Sequence, residues 1–241
     1  MARLKHIAEG VWGAETTVSI GMGASLPLRM TVLKDDKGLI LIAPIGIDNG
    51  LAIELEQIGP VHLLVGPNLL HYRYLEAAKD LYPQARLLGA PGLAEKKPKL
   101  RFDGVLTGAA LCPAVDMMRI EGAEKLSEVV FVHKSSRTLV VTDLVFNILQ
   151  ASGMSRFVLK TFSGALGKCE QSRLCRMLTN DRDATARSIA QLLSWSFERV
   201  VPAHGEVVEA NAPKVLEAAL WWMRGEARRT AHPTEAGQSS L

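Results

Sequence analysis

Cysteine is scarce in this chain, and its placement excludes two common kinds of site. The 241 residues include three cysteines, Cys112, Cys169 and Cys175. They are odd in number and do not show the close spacing of zinc ligands, so the sequence predicts neither a zinc–cysteine centre nor a disulfide framework. Cysteine used in this way is typical of a reducing compartment, and we expect a cytoplasmic protein.

A strong charge of one sign is also lacking, as are long apolar runs. The 28 basic and 25 acidic residues leave a net charge of +3, which is too small to indicate a nucleic-acid partner. No apolar run is long enough to span a bilayer, and the first residues lack the apolar core of a signal peptide. We therefore expect no transmembrane segment, no nucleic acid and a small-molecule partner of unknown identity.

Flexible linkers are missing as well, which bears on domain organisation. Hydrophobic residues make up 48% of the chain, enough for a sizeable core. No stretch rich in glycine, serine, proline or charge interrupts the pattern before the C-terminus. The sequence predicts one domain over residues 1–229 and a disordered tail over residues 230–241.

The order of the predicted elements indicates the fold class. Strands come first as a meander, with examples over residues 11–20 and 28–34, then alternate with helices, and then return. Residues 154–178 are predicted to be helical and basic, and residues 213–228 form a closing helix. This order fits an α/β (α+β) protein with two sheets inside and helices outside, a four-layered αββα sandwich whose ligand cleft lies where strand ends meet.

Two predicted strands end in residues that can carry chemistry. Val200 and Val201 lead through Pro202 to His204, which is flanked by small residues that leave its ring room to enter a cleft. A β-branched run over residues 138–142 ends in Asp143 in the same way. An aspartate and a histidine at strand ends suit a metal site or an acid–base pair, although each alone is more often a strand cap.

Three further residues are candidates for the same cleft. His71 follows a predicted strand by a short loop and is expected to open a helix, as a metal ligand, a general acid or base, or a packed ring. Asn68 could bind a ligand, but an amide is a poor transition-metal ligand and more often bonds loop backbone. Asn147 would face the cleft if a helical turn followed Asp143; turn-making is its alternative role.

These motifs, taken in order, resemble the metallo-β-lactamase superfamily. In that superfamily a Gly-Asp strand end supplies a metal-bridging aspartate, and a later Pro-Gly-His-Gly turn supplies a histidine ligand. Thr142-Asp143 and Pro202-Ala203-His204-Gly205 match them here. Four segments look closer still to an uncharacterised bacterial branch: Pro67-Asn68-Leu69-Leu70-His71, Leu100-Arg101-Phe102-Asp103, Thr142-Asp143-Leu144-Val145-Phe146-Asn147 and Ala203-His204-Gly205-Glu206.

The resemblance implies the αββα sandwich and a metal site that has lost most of its ligands. The superfamily's His-x-His-x-Asp-His motif would fall in residues 66–75, where only His71 remains, and Ala123 stands where another histidine is usual. His71, Asp143 and His204 would then bind at most one metal, zinc or iron. We expect these three side chains to face one another, with Asp143 and His204 coming from opposite sheets.

Two functions of different class follow from this reading. One is a non-catalytic or binding protein with no cofactor, in which an Asp143–His204 pair ties the sheets together. The alternative is a hydrolase with one divalent metal, in which His71, Asp143 and His204 are catalytic and the substrate is a small molecule, with an anionic group as one option. The basic segment 154–178 is interpreted as a lid or a homodimer face, with peripheral membrane contact as the rarer use.

Overall fold

Two β-sheets pack face to face in the computed structural model, which describes residues 2–223. The first sheet has seven strands in chain order: β1 (Leu4–Ala8), β2 (Val11–Gly21), β3 (Ala24–Lys34), β4 (Leu39–Ile42), β5 (Val61–Gly66), β6 (Arg86–Gly89) and β7 (Gly104–Val105). The second has five, in spatial order β12 (Arg199–Pro202), β11 (Thr138–Val141), β10 (Val129–His133), β9 (Val115–Arg119) and β8 (Ala110–Cys112).

Strand direction changes once within each sheet. Strands β1 to β4 are antiparallel, whereas β4 to β7 run parallel. In the second sheet β8 to β11 are antiparallel, and β12 joins β11 in parallel with Val141 opposite Pro202. Because β11 and β12 are parallel neighbours, the residues that follow them emerge side by side at one sheet edge.

Helices cover the outer faces of both sheets and border the cleft at one end of the sandwich. They are α1 (Asn49–Glu56), α2 (Leu75–Leu81), α3 (Leu93–Lys96), α4 (Gly153–Val158), a π-helical turn (Leu159–Ser163), α5 (Arg173–Leu178), α6 (Arg182–Leu193), α7 (Ala212–Ala219) and a 3₁₀ turn (Trp221–Met223). Asp48 caps α1 by accepting a hydrogen bond from the Leu51 amide. No helix within residues 2–223 is both long and apolar enough to cross a bilayer.

Three apolar layers hold these elements together. Between the sheets, Ile40 and Val65 of the first pack against Phe131 and Val140 of the second. A second cluster joins the outer face of the first sheet to α1, α2 and α3, and a third joins the second sheet to α6 and α7. The predicted four-layered αββα sandwich is thus confirmed. The predicted tail over residues 230–241 lies outside the described residues.

The prediction of continuous helix over residues 154–178 is wrong. Helix α4 passes into the π-helical turn and ends at Gly164, which has a φ of 70°. Beyond it, the chain pairs through isolated bridges, Ile148 with Leu166 and Phe146 with Glu170, before α5 begins. The left-handed conformation, which glycine adopts readily, and these backbone pairings both stop the helix.

The closing helix is also shorter than predicted. It spans α7 and then tightens into the 3₁₀ turn. The remainder of the predicted segment, residues 224–228, lies outside the described residues. Strand β1, which the sequence pattern did not indicate, is a short edge strand whose side chains are only partly buried, so its apolar pattern is weak.

Candidate metal centre and its cleft

Three chain segments meet at one end of the sandwich and carry the candidate residues. His71 lies in the loop between β5 and α2, Asp143 follows β11, and His204 follows β12. Asp143 and His204 therefore belong to neighbouring strands of the second sheet, and the prediction that they come from opposite sheets is wrong. His71 does come from the first sheet, so the cluster still joins the two sheets.

The three side chains converge closely. His71 Nε2 lies 3.2 Å from Asp143 Oδ2 and 3.2 Å from His204 Nε2, and His204 Nε2 lies 3.3 Å from Asp143 Oδ1. All three side chains are at least nine-tenths buried. Within residues 2–223 they form the one group of three or more histidine, cysteine or acidic side chains arranged to share a cation.

The His204 ring is fixed in one tautomer by the first sheet. Its Nδ1 lies 2.7 Å from the carbonyl oxygen of Pro27 in β3. Because a carbonyl can only accept a hydrogen bond, Nδ1 carries a proton, and Nε2 is the ring nitrogen that faces Asp143 and His71. A backbone carbonyl is one of the common partners that orient a metal-binding imidazole in proteins.

Asn68 aligns the cluster without joining it. Its side-chain nitrogen donates to Asp143 Oδ2 at 2.7 Å and to Thr142 Oγ1 at 3.0 Å. Its side-chain oxygen accepts from the amides of Leu70 and His71, both at 2.8 Å. Both the nitrogen and the oxygen of the Asn68 side-chain amide are thus hydrogen-bonded. Asn68 therefore holds the loop that carries His71 in a fixed position relative to the carboxylate of Asp143.

Glu128 is an important residue that sequence reasoning missed. It directly precedes β10, and its buried carboxylate accepts from the backbone amides of Thr142, Asp143 and Leu144 at 2.7, 2.8 and 3.1 Å. Burial, followed by the negative charge of Asp143, raises the pKa of Glu128 to about 7 in spite of these three donors. An isolated acid at the start of the fully apolar strand 129–132 was the signal that could have revealed it.

Asp143 itself remains ionised. Burial alone would raise the pKa of its carboxyl group, but the charge of His71 and the hydrogen bonds from His204 and His71 outweigh burial and keep the pKa well below its usual range. The cluster therefore presents a buried carboxylate and two imidazole nitrogens at one point.

This donor set fits a divalent transition metal. Two imidazoles and one carboxylate are ligands that zinc and iron accept. Tetrahedral ligands at zinc-bond lengths are about 3.3 Å apart, and the donor atoms of His71, Asp143 and His204 are separated by 3.2–3.3 Å. The three residues are thus spaced for one small cation, with further coordination positions left for water or a ligand.

A cleft of about 470 Å³ opens over the cluster. Its lining is mostly apolar and comes from β2, β3, the β5–α2 loop, α4, the π-helical turn and α5. The apolar members are Val18, Ile20, Leu26, Leu28, Pro44, Leu70, Phe146, Val158, Leu159 and Leu174. Among the residues that the structure describes, Arg73 is the one lysine or arginine that lines it, and Cys175 lines it as well. Burial, then the charge of Asp143, raises the pKa of the Cys175 thiol well above its usual range, so this thiol stays protonated.

Two predicted features of the site differ in the structure. No helical turn follows Asp143, and the side-chain nitrogen of Asn147 donates instead to the carbonyl oxygen of Glu206 at 3.0 Å, beside a backbone bridge to Gly205. Asn147 thus has the turn-making contacts that were its alternative. His71 precedes the helix rather than opening it, because α2 begins at Leu75.

Comparison with known structures defines the fold. A metallo-β-lactamase from Pontibacter korlensis superposes with a TM-score of 0.65 at 16% identity, covering 93% of this chain and 99% of that one. One from Hirschia baltica gives 0.65 at 10% identity, with 92% and 97% covered. One from Pseudomonas aeruginosa in a mono-zinc form gives 0.63 at 12% identity, with 96% and 97% covered. The chain therefore has the metallo-β-lactamase fold.

Sequence comparison adds nothing to this assignment. No protein-family model matches the chain, and no curated protein is significantly similar to it. At identities of 16% or less, the structural similarity defines the fold alone.

Proposed function

We propose that this protein is a hydrolase that works with one divalent metal ion, bound by His71, Asp143 and His204, and that its substrate is a small molecule with a largely apolar body. The observation that carries the proposal is the spacing of the three donor atoms, 3.2–3.3 Å apart at the base of an apolar cleft. A purely structural ion pair would need neither the third residue nor the cleft.

The ligands available at this site support the binding of one metal ion rather than two. Within residues 2–223 no second group of potential ligands converges next to the first. Ala123, which occupies the position that the superfamily resemblance would give to a histidine, has a buried methyl group in an apolar cluster. We infer that the two-metal arrangement of the superfamily has been reduced to a single site.

The chain's own residues would prepare this site for hydrolysis. A divalent ion held by His71, Asp143 and His204 would supply a water whose pKa is lowered towards neutrality, and so a nucleophile. Pro27 fixes the His204 ring, Asn68 fixes Asp143, and the apolar lining limits access of bulk water. Arg73 is the lining residue best suited to an anionic group on the substrate.

Metal analysis tests the proposal directly. Protein purified without chelator is expected to contain about one equivalent of zinc or iron per chain. The Asp143→Ala variant should lose it, whereas His62→Ala should retain it. His62 is a suitable control because it forms a histidine–aspartate pair with Asp35, at 2.9 Å, outside the three-residue cluster that the described residues form. The metal-loaded protein is then assayed on a panel of small apolar esters and lactones.

A metal-free binding protein is the competing function. It is favoured by the way Asn68 and Glu128 hold the Asp143 segment through hydrogen bonds alone, which makes the site self-sufficient without a cation. If neither zinc nor iron binds and neither raises the melting temperature, the hydrolase proposal fails. Retention of an apolar ligand in the cleft would then support the binding protein.

A further inference from the structure

We propose that the surface around the mouth of the cleft docks onto an anionic lipid bilayer. This mouth surface consists of six exposed apolar residues, Ile20, Met22, Met154, Phe157, Leu174 and Met177, together with the basic side chains Arg156 and Lys160. The inference does not depend on a metal or on hydrolysis, because it concerns binding of the whole protein to a surface.

The apolar residues come from three elements that border the same opening. Ile20 and Leu174 line the cleft themselves. Met22 lies in the turn between β2 and β3, and Met177 lies one helical turn after Leu174 on α5. The amide of Ser25 donates to Ser155 Oγ at 2.9 Å, which joins the start of β3 to α4.

Exposure at these positions is unusually high for apolar side chains. Met177 is 81% exposed and Met22 is 75% exposed, the two highest values among the large apolar residues described. Half of the twelve exposed large apolar side chains recorded in residues 2–223 belong to the mouth surface. Exposed apolar residues that are grouped in this way mark an interaction site, whereas single exposed apolar residues are common on any protein surface.

Charge selects an anionic bilayer as the occupant. Residues 149–178 contain five basic residues and one acidic residue, Glu170. Glu170 is already paired with Lys168 and Arg176, at 3.1 and 2.6 Å. Arg156 and Lys160 are exposed and flank Phe157, so cationic and apolar groups are presented together, the combination that binds anionic lipid headgroups and the acyl region beneath them.

The arrangement of the cleft agrees with this occupant. Its apolar lining continues outwards through Ile20 and Leu174 to the exposed mouth. An apolar ligand dissolved in the membrane could therefore enter the cleft without crossing bulk water.

Vesicle sedimentation tests the proposal. The purified full chain is mixed with vesicles of phosphatidylcholine alone or with a large fraction of phosphatidylglycerol. We expect binding to the phosphatidylglycerol vesicles that weakens as salt is raised. Charge reversal in the double variant Arg156→Glu, Lys160→Glu should weaken binding by at least about 30-fold, and the double variant Met22→Ser, Met177→Ser should weaken it at all salt concentrations.

Matched controls lie elsewhere on the molecule. Ile53→Ser changes a 55% exposed apolar residue of α1, and Lys37→Glu reverses an exposed charge in the β3–β4 turn, at the far end of β3 from Met22. Both should bind vesicles like the parent protein. Equal loss in the controls, or no binding to phosphatidylglycerol, overturns the proposal. Concentration-dependent dimerisation that is abolished by Met22→Ser, Met177→Ser, without vesicle binding, would assign the surface to a second copy of the chain instead.

Discussion

Two buried histidines of this protein have similar burial and a similar backbone contact, but only one of them belongs to the candidate metal centre. His204 and His133 are 4% and 2% exposed, and each places one ring nitrogen near a backbone carbonyl of β3. The partner is Pro27 for His204, at 2.7 Å, and Lys34 for His133, at 3.2 Å. The two carbonyls lie towards opposite ends of the same strand.

The second ring nitrogen makes the difference. In His204 it faces the carboxylate of Asp143 and the ring of His71, both ionisable partners. In His133 it lies 2.7 Å from the hydroxyl group of Ser136, within the β10–β11 turn. Burial and a carbonyl contact therefore indicate only an ordered ring, whereas convergence of a second nitrogen with other donors indicates a site.

The largest expected effect separates these two histidines by metal affinity. His204→Gln keeps a donor for the Pro27 carbonyl but removes the nitrogen that faces the cluster. We expect zinc affinity to fall by roughly 10³-fold, about 4 kcal/mol. Competition titration against a chelating dye measures it. His133→Gln should bind zinc like the parent protein, and equal losses in both variants would mean that the distinction between the two rings is wrong.

The next largest effect is a loss of folding stability when Glu128, which holds the backbone around Asp143, is removed. Glu128→Ala leaves three buried amides, those of Thr142, Asp143 and Leu144, without their acceptor. We expect the free energy of unfolding to fall by about 3 kcal/mol, measured by urea denaturation. Glu76→Ala, which changes an exposed acid on α2, serves as the control. A change in Glu128→Ala no larger than in the control would show that water replaces the carboxylate.

The sequence predicts the parts of this molecule that depend on local pattern. Continuous apolar runs such as residues 129–132 indicate buried strands, and Pro202 and His204 mark a strand end whatever the surroundings. The superfamily resemblance then selects the αββα sandwich, and the structure confirms it. His71, Asp143 and His204 converge because each follows a strand at the same end of the sandwich.

The rest depends on contacts between distant residues, which a single sequence does not show. Glu128 reaches Asp143 across 15 positions, and Asn68 reaches it across 75. The parallel pairing of β12 with β11 puts Asp143 and His204 at the end of one sheet. The sequence of neither strand predicts this pairing. The break in the predicted basic helix depends on backbone pairing of Glu170 with Phe146, another long-range contact.

A smaller effect is expected from the residue that aligns the cluster without joining it. Asn68→Ala removes the 2.7 Å hydrogen bond to Asp143 and the acceptor for the amide of His71. We expect zinc affinity to fall by about 10- to 100-fold, less than for His204→Gln, because all three ligands remain. The same chelator competition measures it. A loss as large as that of His204→Gln would make Asn68 a ligand, and no loss would make its contacts purely structural.

The smallest expected effect tests His133 through pH. Burial lowers the pKa of His133, partly opposed by the Lys34 carbonyl and the charge of Glu9. The unfolded chain, in which histidine has its ordinary pKa of about 6.5, therefore takes up a proton that the native ring resists. The contribution of neutral His133 to stability is complete above that pH and is lost as pH falls through the native pKa.

Urea unfolding at about pH 7.5 and about pH 5.5 measures this contribution. Between these two pH values, the free energy of unfolding should decline more for the parent protein than for His133→Gln. Glu128, whose raised pKa acts in the opposite direction, is common to both proteins and cancels in the comparison. An equal decline in the two proteins would show that the His133 ring is protonated as readily in the native protein as in the unfolded chain.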